Sequence, residues 1–343
     1  MKTRLACLGV AGLMLVPQIS FADPVADFYK GKTVKVVIGA SMGGSYGLFA
    51  QFLSRHIPKH LAGAPTVVVQ SMPGSGGNKA MNYAFNAGAQ DGSMVSMPQM
   101  GMVLESLFNP KARFDARKNQ YIGRFTNINI VGTVHKRAGM KSWEDAKTKV
   151  YNFGTIGRRN VTYLGVAIFN LMAGTKFKVI SGYRGTKASY LAKDRGELDL
   201  AATSWMTLNV SHAEDLKNGT YIPIFQMSRE RQPDLPNVPT ITEFGRTKGG
   251  KAFVAITASG GDVGRSLMAP PKMPKYLVAA WNKAFAATMA DPVFIANVAK
   301  RKASLNTLTG AQLSKAVNDV MNLPKADIKG AFEVYTTLLK AKY

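Results

Sequence analysis

Two short phrases, Ser41-Met42-Gly43-Gly44-Ser45 and Ser71-Met72-Pro73-Gly74-Ser75, each follow a hydrophobic run and each lead into sequence of helical period. A glycine loop between a strand and a helix leaves backbone N–H groups uncovered, and the helix start adds partial positive charge. The chemistry this offers is anion binding. Ser41, Ser45, Ser75 and the N–H groups of Gly44 and Gly76 are short donors that can surround one carboxylate, with Met42 beside them. The same serines can also cap their own helices. A third loop, Gly154-Thr155-Ile156-Gly157-Arg158-Arg159-Asn160, brings two guanidinium groups, which hold carboxylates bidentately. Thr155, Arg158, Asn160 and Thr162 are therefore expected to approach the anion from the opposite side.

Covalent and metal chemistry have thinner support. The only cysteine, Cys7, lies near the N-terminus, and the four histidines are His56, His60, His135 and His212. An exported hydrolase or lyase acting on an anion needs a serine with a base beside it, and no histidine is an evident partner. His56 and His60 have a metal-binding spacing, but Pro58 between them should end that helix. The stretch 245–251 fits Gly-x-x-x-x-Gly-Lys, yet Ala252 replaces the Ser or Thr of a nucleotide-binding loop and opens a strand-like run over 252–257. No catalytic residue, metal or cofactor is expected.

The N-terminus reads as a secretory signal. Lys2 and Arg4 precede an apolar stretch over 5–16, and Ser20-Phe21-Ala22 is a small-x-small cleavage site. Cleavage after Ala22 leaves 321 residues with a net charge of +22, since only Lys2 and Arg4 are charged in the leader. The basic residues are spread along the chain instead of gathered in one arm, and export makes nucleic acid a poor partner. A diffuse positive field suits small anions.

The elements that must position the loops follow from periodicity. Apolar runs at 34–38, 66–69, 128–134, 178–180 and 222–225 alternate with helical segments at 48–60, 79–86 and 163–173, and further helices follow at 276–289 and 292–300. This alternation predicts an α/β chain with mainly parallel sheets and flanking helices, whose ligands bind at the carboxyl ends of strands. The length favours two lobes.

Read in order, several landmarks carry a resemblance. They are Phe28-Tyr29-Lys30-Gly31-Lys32, Gly43-Gly44-Ser45-Tyr46, Pro65-Thr66-Val67-Val68-Val69, Pro73-Gly74-Ser75-Gly76-Gly77 and Asp91-Gly92-Ser93. Gly182-Tyr183-Arg184-Gly185-Thr186, Gly196-Glu197-Leu198-Asp199, Leu235-Pro236-Asn237-Val238-Pro239-Thr240, Glu243-Phe244-Gly245 and Met268-Ala269-Pro270-Pro271 complete the set. The chain resembles the extracytoplasmic solute receptors of the tripartite tricarboxylate transporter family, also called Bug proteins. That resemblance implies a two-lobed periplasmic-binding-protein (Venus-flytrap) fold, with one lobe of residues 23–124 plus 249–343 and the other of 125–248. It implies a periplasmic monomer that closes over a small di- or tricarboxylate, aliphatic or aromatic, and delivers it to membrane transporter subunits; a sensor for a membrane signalling protein is the alternative.

Departures from the family pattern bear on the ligand. Many relatives carry an aspartate and, four residues on, an arginine where this chain has Gly47 and Gln51, and the lysine of the later Tyr-Lys-Gly landmark is Arg184. Losing the acid and gaining arginines favours a purely anionic ligand. Tyr46 and Tyr183 are expected to wall the cleft, and Arg184 to join its donors.

Overall fold

The computed structural model describes residues 23–341. The leader read in residues 1–22 lies outside them. In chain order the strands are β1 (Thr33–Ile38), β2 (Thr66–Ser71), β3 (Met94–Met97), β4 (Gln120–Thr126), β5 (Ile130–His135), β6 (Tyr151–Thr155), β7 (Phe177–Ser181), β8 (Leu200–Ser204), β9 (Tyr221–Met227), β10 (Arg265–Ala269) and β11 (Leu308–Thr309). They form a six-stranded sheet, β11-β4-β10-β3-β1-β2, and a five-stranded sheet, β7-β6-β8-β5-β9. Helices cover both faces of the central strands, so Val36, Val37 and Ile38 are buried in succession and the strand reads as a continuous apolar run.

The sheets are mixed, which corrects the expectation of mainly parallel ones. In each sheet three strands run parallel, β2-β1-β3 and β7-β6-β8. The next strand, β10 or β5, pairs antiparallel with them. Both of these strands have just crossed from the other sheet and enter from the opposite end. Local alternation of strand and helix carries no signal of such a crossing.

The two crossings lie side by side. Asn127, Ile128 and Asn129 connect β4 to β5, and Ile128 N–H donates to Gly261 O at 3.0 Å on the returning chain. Gly264 then turns into β10 at φ +56°, and a Cβ there would lie 2.2 Å from Thr126 O. Only glycine lets the two backbones meet so closely.

The run 252–257 is helical, not strand-like. It belongs to helix Lys248–Val263, where Thr247 Oγ1 accepts from Gly250 N–H at 3.0 Å. Ala252, Phe253, Val254, Ile256 and Thr257 are all buried, because the helix packs on helices Gly310–Met321 and Lys325–Lys340. A helix enclosed this way loses its polar stripe, and a short apolar run then looks the same as a strand. Pro58 acts as expected: the helix Ser45–His56 ends there in a single tight turn, Ile57–Lys59. No described helix is long and apolar enough to cross a membrane.

One charge is built into the second sheet's packing. Lys193, on helix Thr186–Arg195, is fully buried and donates from Nζ to Thr133 Oγ1 at 2.9 Å. Its ammonium lies 3.2 Å from the ring centroid of Tyr221 and 4.2 Å from that of Tyr190. Burial pushes it down from 10.5 to about 7. Below that pH the native state carries the full cost of a buried charge. As pH rises toward 10.5 the native lysine is neutral while the unfolded one still holds its proton, so the lysine's contribution to stability grows. Lys193→Met should therefore gain most over the parent at pH 6 and lose that advantage by pH 9. Melting temperatures across this range check it, and a constant difference would contradict a lowered lysine.

Candidate functional site

Three strands of the parallel sets end in loops that start helices: β1 before Ser45–His56, β2 before Asn78–Asn86, and β6 before Val161–Ile168. The second and third loops face each other across a cleft of about 590 Å³ lined by Ser75, Gly76, Lys79, Glu105, Arg158, Arg159 and Asn160, among others. Gly74, Ser75, Gly76 and Gly77 all have positive φ, from +48° to +141°. Ser75 is the one side chain among them, and holding it there costs about 1–3 kcal/mol that the surrounding loop must offset. Strain of this kind concentrates at ligand sites.

The cleft carries more positive than negative charge. Lys79, Lys111, Arg158 and Arg159 line it, against the single acid Glu105. Glu105 Oε2 accepts from Asn78 Nδ2 at 2.7 Å and also from Asn109 Nδ2. Asn109 Oδ1 in turn accepts from Lys111 N–H at 3.0 Å and from Arg159 Nη1 at 3.4 Å. Arg158 donates to Ala341 O and stands 5.5 Å from the ring centroid of Tyr163, so the end of helix Lys325–Lys340 holds it over the loop. Both arginines stay exposed at the cleft edge. A carboxylate entering here meets charge-assisted donors from both sides.

Of the residues singled out by sequence, Ser75, Gly76, Arg158 and Asn160 meet in this cleft. Asn160 Oδ1 is committed to its own helix, accepting from Thr162 N–H at 3.0 Å and from the Thr162 hydroxyl at 2.7 Å. Thr155 and Thr162 lie beneath the loop, buried and 2.7 Å apart through their hydroxyls, and do not line it. Ser41, Met42 and Gly44 are exposed on the first loop, where Gly44 N–H donates to Ser41 O at 3.3 Å and is spent on the turn. Tyr46 does not wall the cleft. It is buried, its hydroxyl accepting from Met100 N–H at 3.0 Å and donating to Gly264 O at 3.4 Å. Tyr183 is half-buried and Arg184 exposed, outside the cleft lining.

Ser45 meets a residue that sequence reading passed over. Its Oγ accepts from Arg265 Nη2 at 2.6 Å, and the same nitrogen lies 3.5 Å from Ser204 Oγ. Arg265 is only 2% exposed, and burial pushes its guanidinium down to about 10. Keeping an ion in the interior costs several kcal/mol. The rings of Tyr46 and Phe49, with centroids 5.9 and 5.7 Å away, return about 0.5–2 kcal/mol each. Arg265-Ser266-Leu267-Met268-Ala269 reads locally as an unremarkable short strand, so burial of its first residue had no sequence signal. Lys79 had one, three residues past Gly76 at a helix start. Glu105 and Asn109 had none, because only packing of helix Met102–Phe108 brings them to the loop.

Comparison with known proteins decides what kind of molecule carries this cleft. Residues 50–331 match the tripartite tricarboxylate transporter family receptors. The chain belongs to that family. Its receptors bind solutes and are not enzymes, and they work in the periplasm, which implies export. A UPF0065 protein of Bordetella bronchiseptica is 21% identical over 244 residues, covering 68% of this chain and 71% of its own length. Among solved structures, MatC of Rhodopseudomonas palustris with bound malate is similar at TM-score 0.62 and 20% identity, covering 89% of this chain and 99% of its own. An R. palustris protein with adipate is similar at TM-score 0.65 and 17% identity, covering 88% and 97%. At these identities the likeness establishes the two-lobed fold.

Within this receptor the first loop has settled onto Gly47. A Cβ at that position would lie 2.1 Å from Met42 O, so no side chain, acidic or other, has room there unless residues 41–44 move. Gly47→Ala should cost about 1–3 kcal/mol, as overpacking does, and lower the melting temperature. Thermal melts of the two proteins check this, and an unchanged melting temperature would mean that the loop gives way freely.

Proposed function

We propose that this receptor captures a small organic carboxylate, with two or three carboxyl groups, between a lobe of residues 23–124 plus 249–343 and a lobe of 125–248. The ligand is handed to the membrane subunits of a tripartite tricarboxylate-type transporter by a monomer in the periplasm. The observation that carries this reading is the meeting of the Ser75-Gly76 loop with Arg158 and Arg159, where four cations surround one amide-bound acid. Malate in MatC and adipate in the second R. palustris protein are dicarboxylates and support the same ligand class here. Glu105 is the one acid in the cleft lining, and its Oε2 is already held by two side-chain amides. A dianion fits the remaining charge better than an amino acid.

A panel of mono-, di- and tricarboxylates and aromatic acids should raise the melting temperature selectively, with malate and adipate as first probes and no conversion of the bound acid. The double substitution Arg158→Met, Arg159→Met should weaken binding roughly tenfold or more, about 1.4 kcal/mol. No shift from any acid in the panel would sink the reading, and an amino acid found bound by native mass spectrometry would refute the dianion preference. For export, the intact mass of protein recovered from the periplasm should correspond to a chain starting at Asp23; a chain that keeps residues 1–22 would contradict cleavage after Ala22.

A further inference from the structure

Arg265 stands at the junction of the two crossings with no counter-ion. Among the described residues it joins no ion pair, its only hydrogen-bond acceptors are Ser45 and Ser204, and its Nε has no partner. It lines a second part of the space between the two sheets, a cleft of about 300 Å³, with Asn129, Ser204, Asp234 and Lys302. Asp234, which also lines the cleft, is engaged there by another lining residue, its Oδ2 accepting from Trp205 Nε1 at 2.9 Å. Lys302 adds a second positive charge to the lining.

A second buried group in the same lining also lacks a partner. Gln226 Nε2 donates to Leu235 O and Val238 O, at 3.0 and 2.8 Å, which fixes Gln226 Oε1 as an acceptor for Asn129 Nδ2. Asn129 Oδ1 is thereby left buried and without a bond, and as an acceptor it is not completed by a carboxylate oxygen. A buried charge such as that of Arg265 persists when something completes it. The structure offers a guanidinium, two serine hydroxyls and a nearby lysine, which together are the complement of a carboxylate.

We propose that Arg265, with Ser45 and Ser204, forms a buried carboxylate site at the junction between the sheets and anchors one end of the receptor's ligand. The inference deepens the carboxylate-receptor reading and rests on it for the identity of the ligand. Ser45 follows β1 of the first sheet and Ser204 ends β8 of the second. An anion held there is gripped by both lobes at once, and its binding favours closure over an open arrangement. Arginine suits the role because its planar fork matches a carboxylate, whereas lysine offers a point charge.

Formate is the probe, because it is a bare carboxylate small enough for the cleft. With chloride exchanged for formate at constant ionic strength, the parent's melting temperature should rise saturably, Arg265→Met should lose most of that rise, and Arg265→Lys should need about tenfold more formate. Equal responses in parent and Arg265→Met, or none in the parent, would overturn the site. If Arg265→Met does not fold, Arg265→Lys decides: a response identical to the parent's overturns the proposal, and a weakened one supports it. The larger acids separate this inference from the receptor reading. A dicarboxylate that binds the parent and Arg265→Met equally leaves the receptor standing and removes the site. Formate protection through Arg265 with no larger acid bound does the reverse.

Discussion

The close contact between the two chain crossings is the constraint on which the rest of the structure depends. The chain leaves the first sheet through Asn127, Ile128 and Asn129 and returns at Gly264, and the two backbones meet where only a glycine fits. From that junction β5 and β10 run antiparallel into their sheets, and the parallel strands beside them end in helix-starting loops. Tyr46 bonds to Gly264 O and thereby ties the first loop's helix to the same point. The contact thus fixes where the chain passes between the two sheets and where the first loop's helix is tied.

Charge is arranged around this framework at two depths. At the cleft edge, Arg158 and Arg159 are exposed and solvated, so they attract an anion at little cost to stability. At the junction, Arg265 is buried with two hydroxyls and two aromatic faces but no acid. Lys193 shows the other way of keeping a buried cation, enclosed by tyrosine rings and one hydroxyl and shifted toward neutrality. Binding proteins can tolerate such costs at a site because the ligand relieves them.

Much of the architecture was legible because it depends on short-range patterns. The apolar runs became strands and the three glycine loops fell between strand and helix, since periodicity and turn residues act locally. Pro58 ended its helix for the same reason. The family landmarks, weak singly, pointed to the receptor family through their order. The run 252–257 misled because its helix is surrounded by others and shows no polar face.

What the sequence determined by itself was the set of strand-loop-helix units, the surplus of positive charge and the ordered landmarks of the receptor family. Only tertiary structure decided which units face each other. It joined the Ser75-Gly76 loop to the arginine loop, brought Glu105 in from a distant helix, buried Tyr46 and sent Ser45 to Arg265. The physical reason is range. A loop's conformation is set by its neighbours in the chain, whereas a side chain's burial and partners are set by whichever segments the crossings bring alongside.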